Sequence, residues 1–347
     1  MTCASPVAGA RLVDPPPRRV AVLRALSGLG DLLCTVPALR ALRAGLPEAA
    51  ITLVGLPEAA PVVARFPHYV DELVALPGWP GLPEREADVA GLVPFLATMH
   101  ERRFDLALQL HGSGVVSNPL ATLLGARHTA GFFVPGQFCP DPERFLPYPD
   151  DEPEVRRPLR LLEHLGLPAA GEELELPLTV EDERALGSVA ELAGLSAGSY
   201  ACVHPGANDD ARRWPVADFA AVADALSARE LTVVLTGVAG EASLTAAVAA
   251  AMQEPAVDVA GRTPLGALAA LVSRARLLVA NDTGVSHLAA ALGTPSVVVF
   301  RASDPRRWAP LDRTRHQVVG PRPAPSVDTV VTRADRLLGR PAPPVGR

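Results

Sequence analysis

The sequence predicts an α/β protein built from two successive doubly wound domains. Three observations carry that prediction. Short β-rich runs alternate with longer Ala/Leu/Arg segments of helical period, the pattern of βαβ units and a parallel sheet. The alternation breaks across residues 167–199, which hold Pro168, Gly171, Pro177 and Gly198, and then restarts. The chain has 347 residues, and single cores usually stop growing near ~250–300 residues.

In the first half, residues 20–26 read as a strand and 31–45 as a helix closed by glycine. Residues 51–54, 72–76 and 106–110 continue the strands, and 84–103 reads as a helix. Residues 135–153, rich in Pro, Asp and Phe, read as an ordered surface loop. The connecting stretch 167–199 carries one short helix over 181–195. In the second half, strands are expected at 200–204, 231–236, 277–281 and 296–300, with helices at 216–229, 241–252, 265–274 and 285–292. The expected domains are 1–168 and 169–347, with a Pro-rich disordered tail from Pro341. Two such halves imply a ligand cleft between them, at the carboxyl ends of the strands.

Composition narrows the chemistry. The chain is 48% hydrophobic and 20% charged, with a formal net charge of -6. An acidic chain of this kind is a poor nucleic-acid binder. Every basic residue is arginine, so neither a lysine Schiff base nor a P-loop lysine is available. Cys3, Cys34, Cys139 and Cys202 form no Cys-x-x-Cys pair and have no metal-ligand spacing with histidine, so they read as reduced thiols. No stretch of ~18 apolar residues is present to span a bilayer. Pro15-Pro16-Pro17 interrupts any leader-like run. The expected location is the cytoplasm, with contact at the inner membrane face left open.

Three constellations carry chemistry. Ser27-Gly28-Leu29-Gly30-Asp31 lies between the first strand and the first helix. Its glycines permit a tight turn and close ligand approach; Asp31 reads either as a helix cap or as a functional carboxylate. The Gly-x-Gly is not completed as a dinucleotide fingerprint, because Leu33 stands at the third glycine position. His204-Pro205-Gly206 follows the first strand of the second half, with Arg212-Arg213-Trp214-Pro215 leading into a helix. The arginines suit bidentate phosphate contacts, or form a solvated pair; Trp214 reads as a packing residue. Asn281-Asp282-Thr283-Gly284-Val285-Ser286-His287 follows a buried strand and opens a helix. Amides at such a start bind phosphate, and Thr283 adds a hydroxyl donor. The alternatives are a capping Asp282 and a core His287. No Asp-x-Asp exists to hold a diphosphate through a cation, so arginine, hydroxyl and helix dipole would supply the positive field.

Taken in order, these residues resemble glycosyltransferase family 9, the family of the ADP-heptose–lipopolysaccharide heptosyltransferases. The likeness runs from Leu26 to Pro37, through His204-Pro205-Gly206 and Arg212-x-Trp214-Pro215, to Asn281-Asp282-Thr283-Gly284-x-x-His287-x-Ala289-Ala290-Ala291, Gly293-x-Pro295 and Asp304-Pro305. The resemblance implies a GT-B fold, two Rossmann-like domains facing across a cleft. It implies an inverting, metal-independent transfer of a sugar, a heptose, from a nucleotide-diphosphate donor, ADP-heptose, in cell-envelope glycan biosynthesis. No cofactor is expected. Asp31 would be the general base. Arg212 would contact donor phosphate where the family has lysine. His204 and Gly206 would lie on the donor side. Asp282, Thr283, Gly284 and His287 would hold the nucleotide and phosphates, with Thr236, Gly237 and Glu241 around the nucleoside. Gly28, Gly30 and His111 would lie on the acceptor side, the acceptor being a glycan or small molecule.

Two departures stand out. Arginine for lysine changes the shape of the phosphate contact. In Leu110-His111-Gly112-Ser113-Gly114-Val115-Val116, two valines stand where an arginine is common in the family. The first 168 residues hold 15 arginines against 18 acidic residues. Both features favour a less anionic acceptor than a phosphorylated core, unless Arg24, Arg40, Arg43 and Arg127 cluster. The alternatives to transfer are a nucleotide-sugar epimerase on the same fold and a non-catalytic binding protein.

Overall fold

The computed structural model describes residues 12–339. The chain divides into two compact units between Glu172 and Glu173. The first runs β1 (Arg19–Leu23), α1 (Leu29–Leu33), α2 (Val36–Gly45), β2 (Ala50–Gly55), α3 (Ala60–Val63), β3 (Glu72–Ala75), α4 (Val89–Glu101), β4 (Leu106–Gln109), α5 (Ser117–Leu123), β5 (His128–Phe133), β6 (Phe145–Pro147) and α6 (Arg156–His164). The second runs α7 (Val180–Gly187), β7 (Tyr200–His204), α8 (Val216–Ser227), β8 (Thr232–Leu235), α9 (Ala242–Ala251), β9 (Val257–Asp258), α10 (Leu265–Arg274), β10 (Leu277–Asn281), α11 (Gly284–Leu292), β11 (Ser296–Val299), α12 (Pro305–Trp308), β12 (His316–Val319) and α13 (Val327–Leu338).

Each unit has one parallel six-stranded sheet, ordered β3-β2-β1-β4-β5-β6 in the first and β12-β11-β10-β7-β8-β9 in the second. Counted within its own unit, each follows the same doubly wound order. The strands read as nearly continuous apolar runs because helices cover both faces. In β1, Val20 and Val22 enter one core with Ile51, Leu53, Leu106 and Leu108, while Ala21 and Leu23 enter the other with Val54 and Ala107. In the second unit Val203, Val279 and Val297 pack with Phe219 and Val330.

The winding fixes where a ligand can go. In the first unit the chain leaves β1 toward β2 on one side and places β4 on the other. In the second unit β7 and β10 stand in the same relation. Neighbouring connections that diverge in this way open a crevice at the carboxyl ends of the two strands. The Gly28–Asp31 turn follows β1 and His111 follows β4, while the His204-Pro205-Gly206 loop follows β7 and Asp282-Thr283 follows β10. All the chemistry-bearing motifs therefore sit at switch points.

Several expected elements are adjusted. The helix expected over 31–45 begins at Leu29 and breaks at Cys34-Thr35, where Pro37 cannot donate to a continuing helix. The helix expected over 84–103 starts only at Val89, because the Asp88 side chain accepts from the Gly91 amide and caps it there. The loop expected over 135–153 contains β6, which pairs with β5 at the sheet edge and so tolerates Pro147. The connecting helix expected over 181–195 is α7, started by a Thr179/Asp182 capping box and followed by a 3-10 turn over Ala190–Leu192. It packs on α10 and belongs to the second unit. The elements α3, α5, β5, α6, β9, α12, β12 and α13 had no counterpart in the sequence reading. Cys34 and Cys202 are buried and, with Cys139, are free thiols. Cys3 and the tail from Pro341 lie outside the described residues. Among the described residues no helix is long and apolar enough to cross a membrane.

Candidate active site

In the first unit, Gly28 is the N-cap of α1 and Asp31 is its third residue, so Asp31 is not the cap. A Cβ on Gly28 would lie 2.4 Å from Asp31 Oδ2. Glycine is thus what lets the carboxylate fold back over the turn. The Asp31 side chain keeps 26% exposure. Gly30 is buried within the same turn. Arg24, buried just past β1, places Nη2 3.9 Å from Asp31 Oδ1 and donates to the Asp31 carbonyl at 3.3 Å.

His111 follows β4 and accepts at Nδ1 from the Ala25 amide, 3.2 Å away. Its Nε2 faces Glu84 Oε1 at 3.6 Å. Burial, then the Arg24 guanidinium, pushes its pKa down to about 4, so the ring is neutral at pH 7. The loop after it is locked. Gln109 Nε2 and Ser117 Oγ both donate to the His111 carbonyl, at 2.6 and 2.7 Å. Gly114 has φ +90°, and a Cβ there would meet the Phe132 carbonyl at 2.1 Å. Val115, at one of the two positions where arginine is common in the resembling family, is exposed.

Arg24, Arg40, Arg43 and Arg127 do not form one patch. Arg24 lies at the carboxyl end of the sheet. Arg40 reaches Tyr69, Arg43 pairs with Asp71 just before β3, and Arg127 lies near Asp105 just before β4. These last three serve the amino ends of the strands.

In the second unit the predicted donor residues fall into two groups. At the ends of β7 and β8, His204 Nδ1 and Thr236 Oγ1 share a hydrogen bond of 3.0 Å, and His204 Nε2 lies 3.8 Å from Glu241 Oε2. Burial lowers the His204 pKa, opposed by the Glu241 charge. The Val238 amide donates to Glu241 Oε2 at 2.9 Å. A Cβ on Gly206 would stand 2.1 Å from Glu241 Oε1, and one on Gly237 3.2 Å from its Cβ. Both glycines are therefore spaces into which Glu241 packs.

At the ends of β7 and β10, Asn281 is the latch. It accepts from the Trp214 amide at 3.0 Å and donates to the Pro205 carbonyl at 2.7 Å. Sequence reading placed Asn281 in a motif without assigning this role. Its signal was an amide at the end of an otherwise apolar strand. Trp214 is buried edge-on to Phe219, a packing residue as expected. The two arginines separate. Arg213 donates twice to the Ala207 carbonyl, at 3.0 and 2.8 Å, and pairs with Asp210 at 2.6 Å. The Arg301 guanidinium in turn donates to the Arg213 carbonyl. The Arg212 guanidinium has no protein partner among the described residues.

Thr283, not Asp282, is the N-cap of α11, and its side chain makes no capping bond. The Thr283 side chain thus leaves the first-turn amides of α11 without an N-cap bond, and such a helix start favours an anion. Asp282 is buried and accepts from Ser303 Oγ at 2.5 Å. Gly284 is the first residue of α11, and Gly293 ends it with φ +69°. His287 is buried, edge-on to Trp308 at 6.2 Å between centroids. Among the described residues no group of three or more His, Cys, Asp or Glu is arranged to hold a metal ion.

The family model described as glycosyltransferase family 9 (heptosyltransferase) matches residues 94–333. The chain belongs to this family. Lipopolysaccharide heptosyltransferase 3 of Escherichia coli is 26% identical over 293 residues, covering 81% of this chain and 83% of its own. The crystal structure of the family 9 glycosyltransferase of Veillonella parvula has a TM-score of 0.78 at 23% identity, covering 92% of this chain and 97% of that one. E. coli ADP-heptose lps heptosyltransferase II has a TM-score of 0.72 at 21% identity, covering 92% and 98%. The two units are those of the GT-B fold, and this family 9 protein is a glycosyltransferase.

The buried histidines of the glycosyltransferase make its stability depend on pH. Burial holds His316, like His111, near a pKa of about 4 against an ordinary 6.5. Between those values the unfolded chain binds more protons than the folded one, so stability is lost as pH falls from 6.5 toward 4. The expected result is a melting temperature that drops across that window. His316→Asn, whose amide can keep the contact to Ser296 Oγ, should flatten the slope. An unchanged slope in that variant would assign the proton uptake elsewhere.

Proposed function

We propose that this enzyme transfers a heptose from ADP-heptose, with inversion and without a metal ion, to a hydroxyl of a glycan or small-molecule acceptor in building a cell-envelope glycan. The observation that carries the reading is that an uncommitted cation, Arg212, follows β7 and the first turn of α11, whose N-cap side chain makes no capping bond, follows the adjacent β10. Those groups match a diphosphate leaving group. ADP-heptose in the name of one structural relative supports the choice of donor.

In this mechanism Asp31 takes the proton as the acceptor oxygen attacks the anomeric carbon. The bond from that carbon to the diphosphate breaks, and the charge that develops on ADP is met by Arg212, Thr283 and the α11 amides. A single displacement inverts the anomeric centre. His204, Gly206, Thr236, Gly237 and Glu241 hold the nucleoside side of the donor, while Asp282, Gly284 and His287 set the phosphate loop. Gly28, Gly30 and His111 shape the acceptor side. The acceptor is less anionic than a phosphorylated core, because Arg40, Arg43 and Arg127 lie toward the amino ends of the strands and Arg24 is engaged inside the fold.

The test is to incubate the protein with ADP-heptose in EDTA, offering either neutral glycosides or phosphorylated core oligosaccharides. ADP release and a product of inverted anomeric configuration are expected, with efficient transfer to neutral acceptors. A strict requirement for magnesium or manganese, or a retained configuration, would overturn the mechanism. Transfer only to phosphorylated acceptors, falling steeply with salt, would overturn the acceptor assignment. Release of an epimerised sugar without acceptor would point to the epimerase alternative.

A further inference from the structure

Three buried charged side chains lie behind Asp31 in the first unit. Arg24 is 2% exposed and donates from Nη1 to the Leu110 carbonyl at 2.5 Å and from Nη2 to Glu154 Oε1 at 3.0 Å. Glu154, just before α6, also accepts at Oε2 from Arg157 Nη1, 3.1 Å away. Arg157 continues to the Tyr148 hydroxyl at 2.5 Å and the Asp150 carbonyl at 2.8 Å, with its guanidinium over the Tyr148 ring. All three charged side chains are at most 5% exposed.

Two buried guanidinium groups against one carboxylate leave one positive charge uncompensated, and a buried charge needs a partner. Asp31 Oδ1, 3.9 Å from Arg24 Nη2, supplies it. The same Nη2 donates to the Asp31 carbonyl, and Thr35 Oγ1 donates to that carbonyl at 2.8 Å. Arg24 therefore acts on the charge and on the placement of one residue. Three further titratable groups lie beside this network. His111 is neutral at pH 7, Cys34 is a buried thiol, and Glu84 faces His111.

We infer that Arg24 is the positioning residue for Asp31, and that Glu154, shared with Arg157, tunes how strongly Arg24 holds the Asp31 carboxylate ionised and aimed. The inference rests on the reading of Asp31 as the base. It makes the proton-accepting power of the site a property of a buried network reaching to α6. Glu154 weakens the field of Arg24, which leaves Asp31 basic enough to take a proton.

The two ends of the network can be cut with opposite consequences. Arg24→Met removes the cation beside Asp31, so the Asp31 titration midpoint should rise by ~1 pH unit or more, the usual size of a close opposite charge. Glu154→Gln removes the competing carboxylate and should lower the midpoint. The readout is carboxyl NMR titration of full-length protein labelled with 13C at aspartate Cγ. The Asp31 resonance is assigned by its loss in Asp31→Asn. Opposite shifts support the inference. No shift in either variant, or shifts in the same direction, would overturn it. If Arg24→Met does not fold, the direction of the Glu154→Gln shift decides alone. The midpoint is read without turnover, so full activity of Asp31→Asn would overturn the base reading while leaving the titration result to stand by itself.

Discussion

Asp31→Asn is expected to lower turnover by ~10²-fold or more, the usual worth of general-base catalysis, while ADP affinity stays within about twofold of wild type. Asparagine keeps the size of the side chain and fits the space left by Gly28, whose missing Cβ makes room for the Asp31 carboxylate. What it loses is basicity. The donor groups belong to the second unit, so they are untouched by the change. Steady-state ADP release at saturating ADP-heptose and acceptor, with ADP binding measured by calorimetry, checks both halves. Turnover equal to wild type would rule Asp31 out as the base.

Arg212→Ala is expected to weaken ADP binding by ~10–100-fold and to leave the melting temperature of the free protein unchanged. Hydrogen bonds to a charged group contribute ~1.5–3 kcal/mol, which corresponds to that range. The guanidinium has no partner within the described protein, so its removal breaks no internal hydrogen bond or ion pair. Arg213→Ala is expected to behave in the opposite way. It loses two bonds to the Ala207 carbonyl and the pair with Asp210, so the free protein melts lower. Melting curves with and without ADP separate the two variants. If Arg213→Ala is the one that loses ADP, the assignment of the phosphate contact to Arg212 is wrong.

The motifs were legible because each lies at the end of a strongly apolar strand. Strand positions at 200–204 and 277–281 agree with β7 and β10, whose residues are entirely buried, and buried parallel strands read as unbroken apolar runs. Elements whose signal is diluted were not legible. In β5, His128, Thr129 and Gly131 interrupt the apolar pattern. In α6, Pro158 looks like a breaker, yet it falls in the first turn, where the amide has no helical partner. The stripe Val330, Ala334 and Leu337 of α13 is narrow, and its meaning depends on the sheet it covers.

Within the site the same division holds. Sequence could offer Arg212 and Arg213 only as a pair, since both residue types suit phosphate. It could place Asp282 as a cap, but burial and the Ser303 hydroxyl make it a loop anchor instead. Glu154 gave no signal at all. It stands in a run of charged residues that resembles any solvated segment, and only the fold brings it 3.0 Å from Arg24, 130 residues away.

The sequence by itself determined the alternation of strands and helices, the two successive units, the order of the motifs and the family they belong to. These follow from local periodicity and from residue types next to one another in the chain, which a linear reading can see. The tertiary structure alone decided the strand order, and with it the placing of β1 beside β4 and of β7 beside β10. It also decided which arginine is committed and which carboxylate shares a buried cation with Asp31. Those outcomes depend on pairing between distant segments, where burial makes a charge costly unless a partner is supplied, and that partner can come from anywhere in the chain.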